Sequence, residues 1–170
     1  MRELRAHARK RGLDSDTLAL IAHSGAGMHA PAPAAMDQTL RIEPPAGHSL
    51  RDIRPLTMTP TTHLGGLIVL TSAFRLLLVG GLSMPLSERM DWRDARPIGA
   101  LGLGRGERVE TVCAVDEFHP PRQVLIVTRQ GWCRALPWSV VESLLASGLP
   151  ISPGDKNDAP VWLGVCDGGD

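Results

Sequence analysis

Sixteen of the eighteen cationic side chains in this 170-residue sequence are arginines; only Lys10 and Lys156 are lysines. A guanidinium offers a planar fork of donors that grips phosphate oxygens in pairs, so the set points first to phosphate chemistry. Seven positions stand out. Arg75, Arg129 and Arg134 fall at or just beyond predicted turns, Arg122 just before one, and Arg89, Arg93 and Arg96 cluster in one loop. The competing reading is ordinary solubilising charge, because Glu88, Asp91 and Asp94 are interleaved with that cluster.

Other chemistries find little support. Six histidines show no H-x-x-x-H spacing, and none pairs with a cysteine at ligand spacing, so no metal is expected. Cys113 with His119 would make a thiol–imidazole pair. Yet Cys113 sits inside the strand-like "TVCAVD" (111–116), where a small buried hydrophobe is the simpler expectation. Ser24 in "AHSGAG" (22–27) has Ala22 where a nucleophile elbow needs glycine. No G-x-x-x-x-G-K-[ST] loop is present, and "GALGLGRG" (99–106) has the wrong glycine spacing for a dinucleotide, so no cofactor is expected. Of four tryptophans, Trp92, Trp132, Trp138 and Trp162, Trp132 follows a turn where a ring is exposed to stack on bases, while Trp162 reads as core.

Formal net charge is zero, which weighs against strong, sequence-blind binding to a polyanion. Residues 1–15 form a basic arm, either a phosphate-binding tail or a solvated helix face. Three widely spaced cysteines make no disulfide framework and suit a reducing cytosol. The first residues have no apolar signal core. The nearly apolar stretch 64–85 is long enough to span a bilayer. Arg75 at its centre would cost about 2.5–3.5 kcal/mol there. Gly65-Gly66 and Gly80-Gly81 bracket two short runs, so a hairpin is expected instead, and no membrane partner.

The elements that would position the arginines recur. "ALIAHSGAGMH" (19–29), "LIVLTSAFRLL" (67–77) and "VLIVTRQGWCR" (124–134) each rise through apolar residues, break, and resume. Aligning Ala22, Thr71 and Thr128 sets the period at 49 and 57 residues, in the range of propeller-like arrays. Gly25 and Gly131 fall three positions on, where a tight turn needs positive φ; Phe74 stands there in the middle copy, so its turn is expected to differ. A second recurring piece precedes the later hairpins: "GHSLRDIRPLT" (47–57), "GERVETVCAVD" (106–116) and, at the end, "APVWLGVCDGGD" (159–170). On that phasing the last strand lacks a hairpin, and Val161–Cys166 is expected to close onto the blade of Leu18–Ala22. "WSVVESLLASG" (138–148) predicts a short helix, apolar at Val141, Leu144 and Leu145 and ended by Gly148. A weaker helix is expected over 2–12.

With the copies in register, "RPIGALGLGRGERVETVCAVDEF" (96–118) followed by "QVLIVTRQGWCRALPWS" (123–139) resembles the C-terminal domain of the A subunit of bacterial DNA gyrase and topoisomerase IV. Thr128, Gly131 and Arg134 fall on that family's L-L-L-V-T-x-x-G-x-x-[KR] motif. The likeness covers roughly 16–170 and is most specific over 96–139. It implies an all-β, propeller-like β-pinwheel of about three blades of antiparallel strands with one or two short helices. Its repeats would span about 16–60, 61–116 and 117–170.

It also implies a non-catalytic module. Double-stranded DNA would be held weakly and salt-sensitively along a rim of Arg75, Arg89, Arg93, Arg96, Arg122, Arg129 and Arg134, in the cytoplasm, beside a topoisomerase cleavage core or other subunits. Two features depart from the family: three repeats are few, so the rim is short and its net charge low, and the wrapping heptad is missing. "GLGRGER" (102–108) is no match for the basic, glycine-rich heptad with which the gyrase branch wraps DNA. The sequence has no tyrosine, so it cannot supply the nucleophile with which type IIA topoisomerases cut DNA. The alternative is a protein-interaction module that kept the blades and lost the DNA rim.

Overall fold

The computed structural model describes residues 16–31, 56–62, 65–86, 95–115, 121–153 and 157–166. The basic arm, the helix expected over 2–12, Arg89, Arg93 and His119 lie outside them. Among the described residues the chain is almost wholly β. In order come β1 (Asp16–Ala22), β2 (Ala26–Pro31), β3 (Leu56–Thr62), β4 (Gly66–Thr71), β5 (Leu76–Gly80), β6 (Arg96–Pro97), β7 (Val109–Val115), β8 (Gln123–Thr128), β9 (Cys133–Pro137), α1 (Trp138–Ser147) and β10 (Pro160–Cys166). They form three sheets, ordered β3-β1-β2-β6, β5-β4-β7 and β10-β8-β9. The chain divides into two compact units, Met1–Gly65 with Gly80–Ile98, and Gly66–Val79 with Gly99–Asp170.

The three apolar runs become the three hairpins, and the described part of 64–85 holds the second of them rather than one long helix. In each, the first strand lies between two neighbours in its sheet. Ala19 to Ala22 of β1 and all six residues of β4 are buried. β8, solvated on one side, alternates instead.

The phase of the repeat differs from expectation. The two later recurring pieces complete the hairpins that come before them, β7 pairing with β4 and β10 with β8. β3 shares only Leu56 and Thr57 with the piece expected over 47–57, the rest of which lies outside the described residues, and it pairs with β1. All three pairings are antiparallel. Ala22 stands opposite Leu56, Thr71 opposite Val109 and Thr128 opposite Pro160, so the aligned column is also a structural one. Among the described residues β10 pairs with β8, not with the first blade as expected of Val161–Cys166. β10 takes the free edge of β8, and both edges of β1 are already occupied by β2 and β3. An alternating strand satisfies either neighbouring edge equally well, so its pattern alone names no partner.

The middle turn does not differ either. Gly25, Phe74 and Gly131 donate their amides to the carbonyls of Ala22, Thr71 and Thr128 at 2.9, 2.9 and 3.0 Å. Their φ angles are +81°, +59° and +86°. Phe74 accepts the left-handed conformation because its ring, 6 % exposed, fills the core of the second unit. Burying a phenylalanine contributes about 1.5–3 kcal/mol, against a strain of about 1–2 kcal/mol.

That core joins Ile68, Leu70 and Leu76 to Val124, Ile126 and Leu163, and α1 lays Val141, Leu144 and Leu145 upon it. The helix ends as its sequence implies: Gly148 has φ +66° and donates its amide to the Leu144 carbonyl at 2.9 Å. Cys113 is buried there, and burial pushes its thiol up to about 12. Trp162, expected in the core, is instead 48 % exposed. Its ring lies over Gly164, where a Cβ would come within 2.1 Å of it. In the first unit, Ile98 and Met84 crowd Gly27 in the same manner.

Candidate nucleic-acid interface

Each turn of the second unit is braced by the residues that lead into its closing strand. In the second hairpin the Thr71 hydroxyl accepts the Arg75 amide at 3.2 Å and donates to Oε1 of Glu107 at 2.5 Å. Arg75 grips the same carboxylate with both prongs, Nε to Oε1 at 2.8 Å and Nη2 to Oε2 at 2.6 Å. The Gly104 amide adds a bond to Oε2 at 2.7 Å, and Arg75 also donates to the Gly102 carbonyl at 3.0 Å. The Arg75 hydrogen bonds, helped by Thr71 and Gly104, outweigh burial and hold the Glu107 carboxyl at about 2 instead of 4.5. The guanidinium is raised in return, chiefly by its bond to Glu107. The glycine-rich loop 102–107 is thereby tied to the hairpin.

The third hairpin repeats this arrangement with other residues. Thr128 accepts the Trp132 amide at 3.1 Å. Asp158 accepts the amides of Gln130 at 3.1 Å and Ala159 at 2.8 Å. Burial pushes its carboxyl upward, but bonds from Thr128, Ala159 and Gln130 and the charge of Arg129 prevail, so its pKa falls. Ser72 and Arg129 occupy equivalent sites, donating to the carbonyls of Arg108 and Ala159, both at 2.8 Å. By the same register Arg75 corresponds to Trp132, while Arg134 corresponds to Leu77, so the two arginines are not equivalent. Glu107 and Asp158, each two residues before a closing strand, were not singled out in the sequence; their shared spacing from that strand was the available signal.

The arginines therefore fall into different settings. Arg75 is committed to Glu107. Arg122, Arg129 and Arg134 are exposed and belong to one sheet, at the start of β8, in the turn, and on β9. Arg134 donates to the Ser152 carbonyl at 3.1 Å. Arg96 is exposed on β6 in the first unit. Arg105 and Arg108, outside the expected set, are also exposed, and Arg108 is paired with Glu110 at 2.6 Å. Beside Arg134, a groove is floored by Phe74, Ile126 and Ile151 and walled by Trp132 and Pro153. No group of histidine, cysteine or carboxylate side chains among the described residues is arranged to hold a metal. No described helix is long and apolar enough to cross a membrane.

No protein-family model and no curated protein sequence matches the chain. Solved structures do. The C-terminal domain of DNA topoisomerase IV superposes with a TM-score of 0.51 at 13 % identity, over 91 % of this chain and 46 % of that one. The DNA gyrase A C-terminal domain gives 0.50 at 15 % identity, over 74 % and 39 %. The chain thus spans less than half the length of either structure. At such identities the likeness speaks for architecture, and on that ground this chain has the β-pinwheel fold of the topoisomerase IV and gyrase A C-terminal domains.

Proposed function

We propose that this chain is a non-catalytic DNA-binding module that contacts duplex phosphates and bends or steers the double helix beside a separate cleavage core. The observation that carries the reading is the exposure of Arg122, Arg129 and Arg134 along one sheet, in the hairpin whose sequence is nearest to the family motif. Arg96, Arg89 and Arg93 extend the proposed contact set. Arg75 contributes by stiffening its turn, since releasing its fork would leave Glu107 unpaired. Contacts of this kind are sequence-independent and weaken with salt by about 0.9 in log–log slope per phosphate neutralised. The cytosol suits both the proposed DNA partner and the free thiols of Cys113, Cys133 and Cys166.

A second reading, a protein-interaction module, draws on the exposed apolar side chains Val161, Trp162 and Val165 of β10 and on zero net charge. A mobility-shift titration with linear duplex at low and moderate salt separates them. The DNA reading expects a retarded species that fades as salt rises; no retardation at low salt with micromolar protein overturns it.

A further inference from the structure

We infer that the β8–β9 hairpin receives an unpaired base, stacked on Trp132, with the flanking phosphates held by Arg129 and Arg134. The inference rests on the DNA-binding reading and narrows it from intact duplex to DNA with a locally unstacked segment. Three observations support it.

Trp132 is 54 % exposed although a buried groove floor lies beside it, so much of its ring faces water. Its backbone is nonetheless fixed: the amide donates to the Thr128 hydroxyl at 3.1 Å, and the carbonyl accepts the Thr128 amide at 2.9 Å. A large ring on a rigid root is preorganised for stacking, and little ordering remains to oppose binding.

Trp132, immediately before β9, and Arg134, on it, both border the groove. The bond from Arg134 to the Ser152 carbonyl keeps its guanidinium at that border. At the other end of the turn Arg129 is exposed, its amide anchored on Ala159.

Among the described residues no carboxylate lines the groove; Asp158, on which the charge of Arg129 acts, is buried with Oδ1 engaged by backbone amides. An exposed tryptophan flanked along the hairpin by two exposed arginines complements a base flanked by two phosphates, whereas an apolar peptide would need only the groove floor.

The test measures anisotropy of two labelled DNAs at low salt: a duplex, and the same duplex carrying a bulge of unpaired thymines. Stacking predicts that the bulged DNA binds about tenfold tighter. Trp132→Leu, which keeps apolar bulk, should bring the two to parity, and Trp132→Phe should retain most of the preference. Equal affinity for both DNAs in the unaltered protein overturns this inference and leaves the duplex reading intact. Failure to bind either DNA overturns both. Capture of a proline-rich peptide, lost in Trp132→Leu while the DNA preference persists, overturns it in favour of a peptide groove.

Discussion

Thr71 and Glu107, 36 positions apart, meet through a 2.5 Å hydrogen bond that fastens a hairpin turn to the approach of the strand closing its sheet. Thr128 and Asp158 stand in the same relation one repeat later. The column that ends each first strand thus has a second role beyond pairing: its hydroxyl holds the turn and meets the acid. In the first repeat that column holds Ala22, which has no hydroxyl to offer.

Replacing Glu107 with Gln should destabilise the protein by about 1–3 kcal/mol, because Arg75 and Thr71 both lose a charged acceptor. The carboxyl side chain is only 7 % exposed and Arg75 24 %, so solvent screening is modest. The pH dependence has a defined sign. The folded carboxyl titrates at about 2 and the unfolded one at 4.5, so its contribution is complete above about pH 5 and fades as pH falls toward 2. Urea melts of both proteins across that window should converge at the acid end; a gap that stays constant would refute the assignment.

The turn positions separate backbone strain from packing. At Gly131, with φ +86° and no atom near a built Cβ, alanine should cost about 1–2 kcal/mol through conformation alone. At Phe74, glycine relieves the strain but empties the core, for a net loss of about 2–3 kcal/mol. Denaturant midpoints decide the matter: a stabilised Phe74→Gly would show that the ring contributes little.

Thiol accessibility should sort the cysteines. Cys133 is exposed on β9, while Cys113 is buried with its thiol pushed up to about 12. In the native protein a thiol reagent should modify Cys133 rapidly and Cys113 only on unfolding. Prompt native labelling of Cys113 would contradict the core described above.

Charge reversal tests the rim. Arg129→Glu with Arg134→Glu should weaken duplex binding and reduce the salt slope by about one unit per lost phosphate contact. Thermal stability should fall only modestly, since both side chains are exposed and the loss is confined to the charge of Arg129 on Asp158 and the Arg134 bond to Ser152. An unchanged slope would place the phosphate contacts elsewhere.

Patterns of a single segment were legible in the sequence. The three hairpins, the helix over 138–147 and its glycine stop all follow from apolar spacing and φ preference. Pairwise matters were not. β7 lies closer along the chain to β8 than to β5, yet it closes the earlier hairpin, and nothing in "TVCAVD" distinguishes the two edges. Phe74 broke the glycine rule because tertiary packing outweighed a local preference. Arg75 looked like a free cation until Glu107, which flanks a distant strand, was brought to it. The candidate interface was thus readable as residue types, while their pairing needed coordinates.

β6 has a further consequence. After β5 the chain lays Arg96–Pro97 along β2 of the first sheet before it returns as β7. The second repeat therefore carries an outer strand that belongs to the first. Excising the second hairpin with its outgoing connection would also strip this two-residue outer strand from the first sheet.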